Sequence, residues 1–324
     1  MSEARFPTLD LLRGIAAVIV VMEHTQVFLE IRINGGLCVD LFFCLSGFVL
    51  GYAYDRRLDA GLTGSEFMRA RLIRFFPLYL LGTGIALLTA KDADALTVVA
   101  GLLMLPFLPG PMYALNPPAW SLFFELVANV VYAYAKPVRL WPIVLGMAPA
   151  LIYGAITFDS LTQGAVLLCL PRATFSFFAG LMLWRFFAKR EHKPLPAWTA
   201  LALAVALVAI IAIKLPGWCQ GAFDLAMMTA VFPAMIFLGA RTRLTGLASA
   251  IADTLGLASY PMYATHWPLA VMMAPTLGFT PWRWWLAIPL LIVVSIALER
   301  FVHQPMKDLL TNRPLRAVAA QATA

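Results

Sequence analysis

Charge is what this sequence has least of. Only 13% of its 324 residues are Asp, Glu, Lys or Arg, about half the share a soluble domain of that length carries. With 61% of residues apolar, this scarcity excludes an ordinary water-soluble enzyme, and no polar stretch is long enough to fold by itself. Cysteine is sparse too. Cys38, Cys44, Cys169 and Cys219 show no Cys-x-x-Cys spacing, so they read as packed free thiols and not as a zinc or disulfide framework. The chain has no Walker loop and no Gly-x-Gly-x-x-Gly after a strand pattern. No metal and no tightly bound cofactor are expected. The formal net charge of +7 sits in short loops between apolar runs, which fits cytoplasmic loops better than a nucleic-acid partner.

What is abundant is apolar sequence in pieces of membrane-spanning length. Candidate spans are 8–30, 36–54, 75–91, 118–135, 139–157, 164–187, 197–214, 222–240, 255–275 and 282–303, each able to cross a hydrocarbon core of about 30 Å. The first is too long for a cleavable signal peptide and has no small-residue cleavage site after it. An eleventh run, 95–108, is short and ends in Leu-Pro-Phe-Leu-Pro-Gly-Pro, as re-entrant or interfacial segments do. If it does not cross, the arginine-rich loop 54–74, Lys136 and Arg139, the run 189–193, Arg241 and Arg243, and the tail with Lys307, Arg313 and Arg316 all fall on one side. The excess of positive charge makes that side cytoplasmic. The expected fold is therefore all-α: a polytopic transmembrane helical bundle, about ten crossings, both termini cytoplasmic, residues 1–324 forming a single domain without a fused soluble one.

Ionisable residues inside spans are costly and usually face a cavity or a partner. Arg13 and His24 lie eleven residues apart in the first span, close to three helical turns, so they project from one face about 16 Å apart. Arg71 and Arg74 are expected at the cytoplasmic edge before the third span, where three guanidiniums would suit phosphates. Glu125 is placed about 9 Å below the outer surface, at the depth assigned to His24. Ser121 lies one turn above it. Asp40 and Ser46 enter from the outer side of the second span. Ser259, Tyr263 and His266 share a face of the ninth. A cationic inner site joined to a deep imidazole suits a long ligand with an anionic head and a reactive tail, the shape of an acyl-coenzyme A.

Five segments, in this order, resemble the acyltransferase-3 family of integral membrane O-acyltransferases. Leu9–His24 is similar to the family's Arg-x10-His motif, here Arg13 and His24. Val39–Leu50 carries Ser46-Gly47-Phe48. Phe67–Tyr79 carries Arg69, Arg71, Arg74 and Pro77. Asn116–Leu126 carries Trp120, Ser121, Leu122 and Glu125. Leu255–Leu269 carries Ser259, Tyr260, Tyr263, His266 and Pro268. The resemblance implies about ten helices, an acyl-CoA donor, commonly acetyl-CoA, and an acceptor hydroxyl, often on an extracytoplasmic glycan, in the inner membrane. The family's terminal Ile-Glu-x-Pro pattern is Val302-His303-Gln304-Pro305 here.

On this reading His24 is general base toward the acceptor hydroxyl, or takes the acyl group itself. Glu125 or Asp40 fixes its tautomer, as a carboxylate does in a triad. Arg13, Arg71 and Arg74 hold the donor; Trp120, Ser121, Ser46, Ser259, Tyr263 and His266 face the substrates. Each has a plain alternative: an imidazole at His24 hydrogen-bonded between packed helices, topological arginines, a satisfied buried Glu125, an interfacial Trp120, a serine-rich packing face. His192 and His303 are assigned no role, and Glu23 points away from His24. The rival functions are a transporter or flippase, and a scaffold. Against the transporter stand the lack of an internal repeat and an Arg-to-His spacing with no transport rationale.

Overall fold

The computed structural model describes residues 6–90, 92–106, 112–134, 141–157 and 168–311, with backbone alone at 141–143 and 157. It is all-α. The helices are α1 (Pro7–His24), α2 (Gln26–Leu29), α3 (Leu37–Asp59), α4 (Gly64–Thr89), α5 (Ala95–Leu102), α6 (Ala119–Tyr134), α7 (Trp141–Thr157), α8 (Cys169–Phe187), α9 (Trp198–Ala212), α10 (Gly217–Ala226), α11 (Phe232–Arg241), α12 (Gly246–Leu277) and α13 (Pro281–Leu298). A π-helical turn, Met227–Val231, joins α10 to α11, and a second, Glu299–His303, extends α13. Among the described residues, four helical stretches are long and apolar enough to cross a membrane: Leu37–Asp59, Gly64–Thr89, Gly217–Arg241 and Pro281–Thr311.

The bundle is apolar outside as well as inside. On α9, Ala200, Leu203, Leu207 and Ile211 turn inward and are buried, while Leu201, Val205 and Val208 are exposed at helical spacing on the opposite face. On α13, Trp284, Ala287 and Leu291 are buried and Trp285, Leu286, Leu290 and Val293 are exposed. A helix apolar on all sides belongs in lipid. Asp40, Arg71, Arg172 and Glu299 are drawn inward instead and are buried.

Cross-contacts order the helices. Asp40–Arg172, Ser46–Glu125 and Asp55–Tyr132 show that α3, α6 and α8 run in the same direction. Gly14 against Leu255 and His24 against His266 make α1 and α12 parallel; Phe75 with Tyr260 and Gly82 with Ala264 add α4 to them. Arg71–Glu125 and the Phe67–Tyr132 ring contact then run α4 against α6. The chain between these two antiparallel helices makes no net passage. Its helix α5 folds back so that the Tyr79 hydroxyl donates to the Gly101 carbonyl. Residues 95–106 lie against α4 in this way; 107–108, the rest of that run, lie outside the described residues.

Two pieces of local chemistry hold the centre. Gly47 and Gly180 let α3 and α8 touch backbone to backbone: a Cβ on Gly47 would lie 1.8 Å from the Phe177 carbonyl oxygen, and one on Gly180 1.9 Å from that of Cys44. Small residues at a crossing are how helices approach closely in lipid. In α12, Pro268 has no N–H for the Ala264 carbonyl, and the Asn116 side chain donates to it instead at 3.0 Å.

Several boundaries differ from those the sequence implies. The third span is longer: α4 starts at Gly64, where Thr63 and Glu66 form a capping box. Arg69, Arg71 and Arg74 are therefore within the helix, not before it. The first span is shorter. α1 ends at His24, and after Thr25 the one-turn α2 stops at Glu30, whose φ is 55°. His24 ends its helix, and the depth counted down from Glu30 does not hold.

Candidate active site

Arg13 and His24 do share a face, and that face meets α12. The Arg13 guanidinium pairs with Asp10, one turn before it, at 2.6 Å and donates to the Gly256 carbonyl at 3.1 Å. Eleven residues along α1, His24 Nδ1 lies 2.9 Å from His266 Nε2, the two rings stacked with centroids 5.0 Å apart. Trp267 stands edge-on to His24 at 5.6 Å.

The histidine pair has a defined proton order. His266 Nδ1 faces the carbonyl oxygens of Met262 and Tyr263 at 3.0 and 2.9 Å. A carbonyl only accepts, so His266 carries its proton on Nδ1 and presents the Nε2 lone pair. His24 Nδ1 must then be the donor to it. That leaves the lone pair of His24 on Nε2, the tautomer needed by a base or nucleophile reached from that nitrogen.

Around this pair, Tyr263 is fixed by its hydroxyl contact with Ser121 at 2.5 Å and by donation to the Pro118 carbonyl at 3.1 Å. Ser121 and Tyr263 are thus together, one helical turn from His266. Glu125, one turn further along α6, accepts from Ser46 at 2.5 Å and pairs with Arg71 at 2.8 Å. Arg71 also lies over the Phe75 ring, and its buried Nε has no hydrogen-bond partner among the described residues. Trp120 packs edge-on to Phe43 and beneath the guanidinium of Arg172, 5.6 Å from the ring centre.

The orienting partner of His24 differs from the expected one. Asp40 is fully buried and gripped by Arg172 through contacts of 2.7 and 3.2 Å, and Glu125 is engaged by Ser46 and Arg71. The imidazole of His266 takes the place the sequence reading gave to a carboxylate. The three-arginine rim is also rearranged. Arg71 is 6% exposed, seven residues into α4, and pairs inward, while Arg74 is exposed. Ser259 turns its hydroxyl back onto the Gly256 carbonyl at 2.6 Å. His303 is not a bare helix-end residue: it is buried and bridges Glu299 at 2.8 Å and the Arg74 carbonyl at 2.9 Å, tying the end of α13 to α4. His192 stacks on Phe187, and Glu23 turns away from His24 to accept from the Gly35 amide.

Arg172, and the Asp55–Arg185 pair that also holds the Tyr132 hydroxyl, are functional-looking charges that motif reading passes over. Arg172 had a signal: an arginine three residues into an apolar helix calls for a partner as strongly as Arg13 does. Among the described residues no group of three or more His, Cys, Asp or Glu is placed to hold a metal ion.

A family model described as an acyltransferase domain matches residues 6–300. The chain is 39% identical over 158 residues to "Protein 2 in picA locus" of Rhizobium radiobacter, covering 40% of this chain and 81% of that protein. It is 29% identical over 252 residues to the exopolysaccharide production protein ExoZ of Rhizobium meliloti strain 1021, covering 72% of this chain and 75% of the relative. No solved structure matches it.

Proposed function

Because the chain belongs to the acyltransferase-3 family, we propose that it is an O-acyltransferase of the inner membrane, moving an acyl group, acetyl by expectation, from cytoplasmic acyl-CoA to a hydroxyl of an extracytoplasmic glycan. The observation that carries the reading is the His24 imidazole, held by His266 with its Nε2 lone pair available. The glycan acceptor is supported by the exopolysaccharide role in the name of one relative.

Orientation follows from charge. Arg56 and Arg57 at the end of α3, Arg190 after α8 and Arg243 after α11 lie at one end of the bundle, and the positive-inside rule assigns that end to the cytoplasm. Ten crossings with both termini inside is the topology this supports. The donor's phosphates then reach Arg13 and the exposed Arg74 from that end.

In the transfer, His24 Nε2 removes the proton of the acceptor hydroxyl as its oxygen attacks the thioester carbonyl. The C–S bond breaks, and the imidazolium returns the proton to the departing thiolate, giving an ester and free CoA. In the covalent variant Nε2 attacks the thioester carbonyl first, the C–S bond breaks and CoA leaves as thiolate; the acyl-imidazole then passes the group to the acceptor oxygen, whose proton ends on the thiolate, giving the same ester and free CoA. Imidazole serves either route because it takes and gives protons near neutral pH. No carboxylate contacts the His24 ring among the described residues, so the positive charge formed there is shared with a neutral acceptor, His266.

The test is incubation of purified protein with labelled acetyl-CoA and envelope polysaccharide from cells lacking it. Label in base-labile ester on the polysaccharide is the expected result. No turnover, together with flux of a solute across proteoliposomes, would replace the enzyme by a transporter.

A further inference from the structure

At the end of the bundle away from the arginine cluster, a cavity of about 680 Å³ opens between the last turn of α1, α2, the 30–34 loop and the turn into α10. Its volume is in the range of about 300–1,000 Å³ common to small-molecule sites. The wall carries Glu23 and Glu30, Arg32 and Lys214, and the amides of Asn34 and Gln220. Two of these are braced from behind. Glu23 accepts from the Gly35 amide at 3.0 Å, and Gln220 donates to the buried Asp224 at 2.8 Å. The 30–34 loop is itself anchored, the backbone N–H of Asn34 donating to the Ile211 carbonyl at the end of α9 at 2.9 Å.

Elsewhere Arg71–Glu125, Arg172–Asp40 and Arg185–Asp55 pair across helices. Here two carboxylates, two cations and two amides face open space, and their formal charges cancel. Such a wall offers donors and acceptors in equal measure, with no net field to draw a polyanion. We propose that this vestibule binds an uncharged sugar unit of the acceptor glycan, adjacent to the unit whose hydroxyl reacts; the proposal rests on the transferase reading above.

The vestibule is a specificity subsite and not the reaction centre. Glu23 and Gln26 flank His24 in sequence and line the cavity, whereas the His24 ring turns to α12 and is not part of the wall. A ligand seated there is roughly one helix width, about 10 Å, from the imidazole. The next sugar along the chain is the one that reaches it. Filling the vestibule therefore weakens acceptor capture without touching the donor path, which lies toward the other end of the bundle.

The experiment uses the full chain, with the polysaccharide of cells lacking the protein cut to oligosaccharides and separated into neutral and acidic fractions. Val27 is exposed and on the vestibule wall; Val27→Trp fills the space, and Lys214→Met removes a donor at the far side should the first variant fold poorly. With labelled acetyl-CoA, the neutral fraction is the expected acceptor. The acceptor KM should rise by about tenfold or more in each variant, the loss of a charged hydrogen bond or its equivalent, with the KM for acetyl-CoA unmoved. An acceptor KM unchanged in both variants overturns the subsite, and label confined to the acidic fraction overturns its preference for uncharged sugar. Label entering neither fraction with the wild-type protein removes the transferase reading instead.

Discussion

Replacing His266 separates an orienting role from a packing role. In the wild-type protein His24 Nδ1–H donates to His266 Nε2 at 2.9 Å. When His24 gains a proton during transfer, that bond becomes charge-assisted, and such bonds contribute about 1.5–3 kcal/mol. At 1.36 kcal/mol per decade, its loss slows the chemical step about ten- to 150-fold. His266→Leu keeps the bulk and removes the acceptor, so kcat for acyl transfer should fall by that factor, with the KM for acetyl-CoA little changed. His266→Gln can offer its amide oxygen to the same N–H and should recover part of the loss. The factor is smaller than that of the carboxylate in a serine-protease triad, about ten-thousand-fold, because His266 is a neutral acceptor. The assay is release of CoA by purified protein, with folding checked by size exclusion. A His266→Leu variant with wild-type kcat would refute the reasoning, as would a Gln variant no better than Leu.

Other perturbations address the scaffold and the donor. Arg172→Met leaves Asp40, 0% exposed, without its counter-ion and should cost about 3–5 kcal/mol, read as thermal unfolding in detergent; adding Asp40→Leu should restore most of it, and an unaltered single variant would contradict the pairing. Gly47→Ala places a Cβ 1.8 Å from the Phe177 carbonyl oxygen, forces α3 and α8 apart and should lower stability by at least about 1–3 kcal/mol; a fully folded variant of wild-type melting behaviour would show the crossing to be looser than drawn. Arg13→Lys keeps the charge and loses the guanidinium fork, so the Kd for acetyl-CoA should rise about tenfold, whereas unchanged binding would reduce Arg13 to a topological anchor.

The coarse architecture is legible from composition because a bilayer imposes it: helices must satisfy their own backbone, and apolar runs show where they are. The shared face of Arg13 and His24 follows from helical periodicity alone, and both residues meet α12. Pairing across helices is not legible in that way. Nothing in the spacing says that Asp40 belongs to Arg172, 132 residues away, or that Glu125 belongs to Arg71, 54 residues away. Ranking residues by depth misled as well, because it put Arg71 at the inner edge and Glu125 near the outer one, while they are 2.8 Å apart. The error came from starting the third span at residue 75: the polar Arg-x-x-Arg segment looks like a loop, but a capping box at Thr63 and Glu66 begins the helix two turns before Arg71. His266 was seen as a face-sharing polar residue. Its place behind His24 needs the α1–α12 packing.

The most direct measurement is acyl transfer by His24→Ala, made as purified, folded protein with labelled acetyl-CoA and the envelope polysaccharide. If His24 Nε2 moves the proton or carries the acyl group, the variant should lose at least the factor of about 10²–10⁴ that a positioned base supplies, while still binding acetyl-CoA through Arg13. Transfer by His24→Ala at the wild-type rate would contradict the account at its centre.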